Sequence, residues 1–291
     1  MFQEVPGCAT CKNYGSNILS HPLIIEAIED EFIPLVIYNN KKGVDAEILR
    51  KYKEPSWNNP VIRIVDNKGN NIVNRLSGNY SKLGLINTIR DGILASNRVV
   101  PTYITLLAEE FNINADPLKE SYFSMYCFWT GEKVLADISG IAETEAGFMD
   151  GKEVVKFKYN AEFIKYEDIV AEAGRKDCAD MVYSDSENER NIAFQKGKIK
   201  SSKTSRFKKD KNPKYYLSNS KLKFIPMTKY QSMKINWALG KSEAVIDYLS
   251  PRQLSQLEYI KSNKDKKWDE VYEDDIYIAW WKVESQVKAD I

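Results

Sequence analysis

Tyr122-Phe123-Ser124-Met125-Tyr126-Cys127-Phe128-Trp129 decides how the second half of this chain is read. Apolar residues alternate from Tyr122 to Phe128 as along a half-buried strand. The run ends on a lone cysteine and two aromatic rings, followed by a helix start at Gly131-Glu132. A thiol held against an aromatic wall at a strand end suits a sulfur nucleophile that recognises a small apolar group. The competing reading is a cysteine packed as a small apolar residue. Further along, Glu153 opens a second alternating run, Val154 to Tyr159. A carboxylate drawn into a poorly solvated strand end keeps its proton near neutral pH, which makes Glu153 the candidate acid.

Around these two runs the spacing predicts a weaker strand near Ile141–Ala146 and helices over Gly131–Ile138 and Tyr166–Gly174. That β-α-β-β-α order is ferredoxin-like. Residues 184–214 are polar and lysine-rich, and read as a solvated loop. The chain from Thr228 onward reads as helical, with Ser250-Pro251 as a cap and first turn and Trp280-Trp281 as a core anchor.

Towards the amino terminus, Cys8-Ala9-Thr10-Cys11 stands at a helix start. A helix terminus stabilises a thiolate, so Cys8 would attack a disulfide and Cys11 would resolve it. Helices are predicted from Cys11 towards Ser20, over Pro22–Glu31, over Asp45–Tyr52 with Asp45 as cap, and over Ser81–Ala95. Strands are predicted over Phe32–Tyr38, Val61–Val65 and Asn71–Asn74, the last two joined by an Asp66–Asn70 hairpin, with Gly78 breaking the chain after them.

The totals narrow the choices. A chain of 291 residues suggests two domains at roughly 150 residues each. With 43% hydrophobic and 12% aromatic residues it can fill two cores. A net charge of +1 gives no global field towards nucleic acid. No apolar stretch reaches the roughly 20 residues of a membrane span. The single histidine, His21, excludes most His-based triads and multi-His metal sites, and its junction position suggests a capping or surface role. One CxxC without a second cannot complete a zinc site, so no metal and no other cofactor is expected. Met1-Phe2-Gln3-Glu4 lacks the marks of a secretory leader, which points to the cytoplasm, with the cell envelope as the alternative if a leader is missing.

The amino-terminal order resembles a thioredoxin-like domain, carried by Cys8–Cys11, Pro60 before a strand, and the hairpin followed by Gly78. The resemblance implies a cis Pro60 beside the dithiol. With so few residues before Cys8, the first central strand of that fold is expected to be mostly missing.

The second half resembles peptide-methionine (S)-S-oxide reductase of the A type. The family's Gly-Cys-Phe-Trp appears as Tyr126-Cys127-Phe128-Trp129, and its Gly-Val, Thr and Gly-Tyr segment as Gly140-Ile141, Thr144 and Gly147-Phe148. Its glutamate before a Val-x-Val-x-Tyr-Asp strand matches Glu153, with Tyr159-Asn160 closing the strand. Its Asp-x-Gly-x-Gln-Tyr matches Asp210 to Tyr215 in spacing, interrupted by Pro213 and Lys214. The family has glycine where this chain has Tyr126, and a long excursion where only Met149 to Lys152 separate Phe148 from Glu153.

The resemblance implies roles. Cys127 attacks the sulfoxide sulfur, Glu153 protonates its oxygen, Tyr215 hydrogen-bonds that oxygen and Asp210 orders the site. Phe128, Trp129 and Phe148 hold the substrate. Cys127 leaves as a sulfenic acid, recycled by Cys178, by the Cys8–Cys11 dithiol, or by both. The implied fold is α/β and α+β: a thioredoxin-like domain over residues 1–100, a helical connector over 101–118, and a ferredoxin-like methionine sulfoxide reductase domain with a helical C-terminal extension over 119–291. The expected activity is repair of methionine S-sulfoxide, free or in oxidised peptides, with thioredoxin or another thiol reductant as electron donor and no nucleic acid partner. The alternative is a thioredoxin-like disulfide reductase whose C-terminal domain only binds a client.

Overall fold

The computed structural model describes residues 1–288. They form a mixed α/β protein of two compact units, each built on its own mixed sheet: Met1–Phe111 with Ser250–Arg252, and Asn112–Leu249 with the chain from Gln253 onward. Among the described residues no helix is long and apolar enough to cross a membrane.

In the first unit, β1 (Phe2–Glu4) leads into α1 (Ala9–Tyr14), a π-helical stretch Gly15–Leu19, and α2 (Pro22–Glu31), which starts on a proline whose fixed φ suits a first helical turn. Then follow β2 (Val36–Tyr38), α3 (Val44–Lys51), β3 (Val61–Ile62), β4 (Leu76–Ser77) and α4 (Lys82–Ala95). The Ser81 hydroxyl caps α4 by accepting the Gly84 N–H at 2.9 Å. Strand order is β2-β1-β3-β4, with β1 parallel to β2 and antiparallel to β3. The first strand, expected to be mostly missing, is therefore present and central. Leu23, Ile24 and Ala27 of α2 are buried, as are Leu85, Ile86, Ile89 and Ile93 of α4 and Ile37 and Val61 of the sheet.

Four local expectations need correction. The strand over Phe32–Tyr38 shrinks to Val36–Tyr38, because β1 offers only three residues to pair with. α3 is capped at Gly43, not Asp45: Gly43 has φ 73°, a backbone that favours glycine and sets the helix start there. The Asp66–Asn70 turn forms, with Asp66 Oδ1 accepting the Lys68 and Asn70 N–H groups at 2.9 and 2.8 Å. Only a single bridge, Val65 to Asn71, follows it, and β3 pairs with Leu76–Ser77 instead of Asn71–Asn74. His21 does hold the N-cap position of α2, but it is buried and not on the surface: its ring lies against Phe111, centroids 5.3 Å apart, and burial pushes its pKa down to about 3.

α5 (Thr102–Ile113) carries the division between the units. In the second unit, β5 (Lys119–Ser124), α6 (Phe128–Ala136), β6 (Ile141–Met149), β7 (Lys152–Tyr159), α7 (Tyr166–Arg175) and β8 (Met181–Tyr183) come first. The stretch expected to be a loop holds α8 (Glu187–Gly197), β9 (Lys200–Ser202) and β10 (Lys208–Lys209). It is structured because Ala193 and Ile199 are buried and β9 adds a parallel edge to β8. The strand order is β10-β6-β7-β5-β8-β9.

Then follow α9 (Tyr215–Ser218), α10 (Lys229–Gly240), α11 (Pro251–Ser262) and α12 (Ile276–Lys288). A helical core of Leu217, Ile225, Met227, Ile235, Leu257 and Trp268 sits under them. Trp280 anchors α12, whereas Trp281 points outward, 69% exposed.

Candidate active site

The predicted strand over Tyr122–Phe128 ends at Ser124, and the helix begins at Phe128, three residues before the expected Gly131. Cys127 is its N-cap, half-buried, in an extended conformation (φ −135°, ψ 106°). The fourth residue of α6, Gly131, explains how this helix lies so close to the sheet. A Cβ built there would meet Met125 Sδ at 1.7 Å and Val155 Cγ2 at 3.1 Å. Gly131→Ala is expected to cost about 1–3 kcal/mol of stability despite alanine's better helix propensity, measurable as a lower urea midpoint.

Glu153 stands at the start of β7, directly opposite Phe148 of β6 in the ladder. Its Oε2 accepts the Phe128 N–H at 2.8 Å, so the carboxylate occupies the free amide end of the helix that Cys127 caps. The Glu153 carbonyl accepts the Met125 N–H at 3.3 Å, tying the segment before the cysteine to the same strand. Thiol and carboxylate are thus brought together by one helix start.

Aromatic rings wall this place. The Phe128 centroid lies 5.4 Å from Trp129 and 5.3 Å from Phe148. Trp129 is stacked on Tyr215 with centroids 4.0 Å apart and planes 22° apart. The Trp129 Nε1 is buried, with no hydrogen-bond partner among the described residues. Tyr126, in the family's glycine position, is 94% exposed and takes no space from the rings. Burial first, and then a charge on Cys127, push the Tyr216 hydroxyl pKa up, which marks Tyr216 as a neighbour of the sulfur.

The other predicted residues fall in three groups. Asp210 is held through its backbone, its N–H donating to Ala146 O at 2.9 Å. Cys178 is buried in the turn between α7 and β8, its N–H donating to Ala173 O at 2.8 Å. Ser124 is opposite Met181, Phe123 is opposite Val182, and the Asp180 N–H donates to Ser124 O at 2.8 Å. Beyond that pairing both chains leave the ladder, Cys127 to cap α6 and Cys178 in the turn before β8. Burial chiefly, then Asp177, Asp180 and a charge on Cys127, raise the Cys178 pKa.

Cys8, Cys11 and Pro60 belong to the first unit. Cys8 caps α1, its Sγ accepting the Cys11 N–H at 3.2 Å. The side-chain hydrogen bond with Cys11 lowers the Cys8 pKa, while burial foremost pushes the Cys11 thiol up to about 11. The Asn59–Pro60 bond is cis.

Sequence reasoning missed Glu132. It is fully buried on α6, its Oε1 accepting the Ala146 N–H at 3.1 Å and its Oε2 the Lys214 N–H at 2.8 Å. A signal was there: a carboxylate four residues after Phe128 and four before Ala136, on the apolar stripe of a helix. The buried pair of Lys214 Nζ and Glu273, 2.6 Å apart, was missed as well. Its partners lie far apart in the chain, and no local pattern links them. Burial alone would raise Glu273, but Lys214 and Lys209 outweigh it and hold its carboxyl down to about 2. Among the described residues no group of three His, Cys, Asp or Glu side chains could hold a metal ion.

No family model matches the chain. Part of it is similar to peptide methionine sulfoxide reductase MsrA of Methanococcus maripaludis strain C6, 34% identical over 65 residues, which covers 16% of this chain and 41% of that protein. The same protein of strain C5 matches with the same identity and coverage. The chain thus spans less than half the length of these curated relatives, and the likeness is that of an MsrA-like region within a longer α/β protein.

Proposed function

We propose that the second unit reduces methionine S-sulfoxide, free or in peptides, with Cys127 as nucleophile and Glu153 as acid. One observation carries the reading: the Glu153 carboxylate accepts the Phe128 N–H beside the half-buried Cys127, next to the packed rings of Phe128, Trp129 and Phe148. Cys127 attacks the sulfoxide sulfur while Glu153 gives a proton to its oxygen. The oxygen passes to the cysteine, so that a thiol and a sulfoxide become a sulfenic acid and a thioether. Phe128, Trp129 and Phe148 receive the methyl group, Tyr215 hydrogen-bonds the oxygen and Asp210 orders the loop that carries Tyr215. Partial similarity to MsrA proteins supports this assignment. The β6-β7-β5-β8 order with α6 and α7 between strands supports a ferredoxin-like domain.

The sulfenic acid then condenses with the Cys178 thiol, forming one disulfide and releasing one water. A charge on Cys127 is felt at the Cys178 thiol, and this supports the step. Cys8 and Cys11 supply the electrons that reopen it, with the more ionised Cys8 attacking first. The sheet order around β1 and the dithiol at the start of α1 support a thioredoxin-like first unit.

The test uses the reduced full chain carrying Cys8→Ser and Cys11→Ser. With methionine S-sulfoxide and no reductant, it is expected to release one equivalent of methionine and to yield a Cys127–Cys178 disulfide in a peptide mass map. No methionine release defeats the reductase reading. Release without that disulfide leaves the reductase and removes Cys178 from the cycle.

A further inference from the structure

The rings beside Cys127 come from three separate pieces of chain, and one side chain ties all three. α6 carries Phe128 and Trp129, β6 carries Phe148, and the turn before α9 leads into Tyr215. Glu132 belongs to α6, and its two oxygens accept the N–H of Ala146, two residues before Phe148, and of Lys214, immediately before Tyr215. We propose that Glu132 is the positioning residue of this site, setting Phe148 and Tyr215 against the helix that presents Cys127; this rests on the reductase reading.

Two further contacts brace the same turn. Tyr272 donates its hydroxyl to Pro213 O at 3.2 Å, and Glu273 pairs with Lys214 Nζ at 2.6 Å. Lys214 itself has φ 57°, a conformation a non-glycine residue holds only when its surroundings insist on it. Neither contact reaches β6 and α6 together, and Glu132 reaches both. A carboxylate is the one side chain of this size that offers an acceptor to each of two N–H groups at once. A glutamine keeps one bond and turns an amide donor towards the other.

The arrangement makes the placing of these rings sensitive to protons. Burial pushes the Glu132 carboxyl up to about 7, against the pull of Lys214. Above that pH both oxygens accept. Below it one oxygen carries a proton, and the N–H facing it loses acceptor strength. The charged and titratable groups around it are Lys214, Glu273, Tyr272, Asp210 and, through Glu273, Lys209. Glu273 stays ionised and burial raises Tyr272 further from neutrality, so neither of them shares the change of charge that Glu132 undergoes near pH 7.

Glu132→Gln tests this. KM for methionine S-sulfoxide is expected to rise about tenfold, the scale of one lost buried hydrogen bond, with a smaller change in kcat. The rate at which iodoacetamide alkylates Cys127 should stay within about twofold, as a role confined to placing the rings requires. The wild-type KM should rise as pH falls through 7, and in the variant this dependence should flatten. A folded variant with unchanged KM and unchanged pH profile overturns the proposal. Should the variant not fold, wild-type hydrogen exchange decides. Protection of the Ala146 and Lys214 amides is expected to fall between pH 8 and 6 after correction for intrinsic rates, and constant protection overturns the proposal. A wild type that releases no methionine defeats the reductase reading, and the exchange measurement still judges Glu132.

Discussion

Cys127→Ser is expected to abolish the proposed methionine release, by at least about 10⁴-fold, the scale seen when a covalent nucleophile is removed. The reason is chemical before it is geometric. Sulfur can take an oxygen atom from a sulfoxide and hold it as a sulfenic acid, whereas a serine oxygen would have to form an oxygen–oxygen bond. The variant should also fold normally. Cys127 caps α6 without a side-chain hydrogen bond, and serine is among the preferred N-cap residues, so stability should hold or rise by about 0.5–1 kcal/mol. A fixed urea midpoint with no product isolates the chemistry. Product formation by this variant sinks the assignment of the nucleophile.

Glu153→Gln is expected to have the second largest effect on the proposed activity. A glutamine Oε1 can still accept the Phe128 N–H, which Glu153 receives at 2.8 Å, so the helix end keeps its partner. What is lost is the proton given to the leaving oxygen, worth roughly 10²–10⁴-fold. Single-turnover methionine formation should slow by that factor while iodoacetamide still titrates Cys127. A rate within about threefold of wild type would show that another group protonates the oxygen.

How much of this was legible in sequence depends on how local the cause is. Alternation along Tyr122–Phe128 and Val154–Tyr159 marked both central strands, because a sheet with one covered face imposes a period of two. Pro22 and Ser81 marked helix starts for reasons contained in a single residue. The end of β5 was misjudged by several residues because Met125 and Tyr126 look like strand but are drawn off by α6 and by Glu153 O. The lysine-rich stretch read as loop because its lysines outnumber its apolar residues, although Ala193 and Ile199 suffice to seat it. Cys127, Glu153 and the rings share a short span with recognisable spacing. Glu132 and Glu273 do not, since their partners are set by folding. The burial of Cys178 within reach of a charge on Cys127 needed the fold, which no residue pattern states.

The burial of Cys178 has a consequence for how such a sulfur ages. At 2% exposure, with its proton held by burial, it is poor prey for peroxide, free glutathione or stray metal ions. On the proposed cycle bulk oxidants would meet Cys127 first, and the hidden thiol would be spared until Cys127 has been altered. Chemical insulation of this kind would keep one thiol in reserve through many rounds of damage to the other.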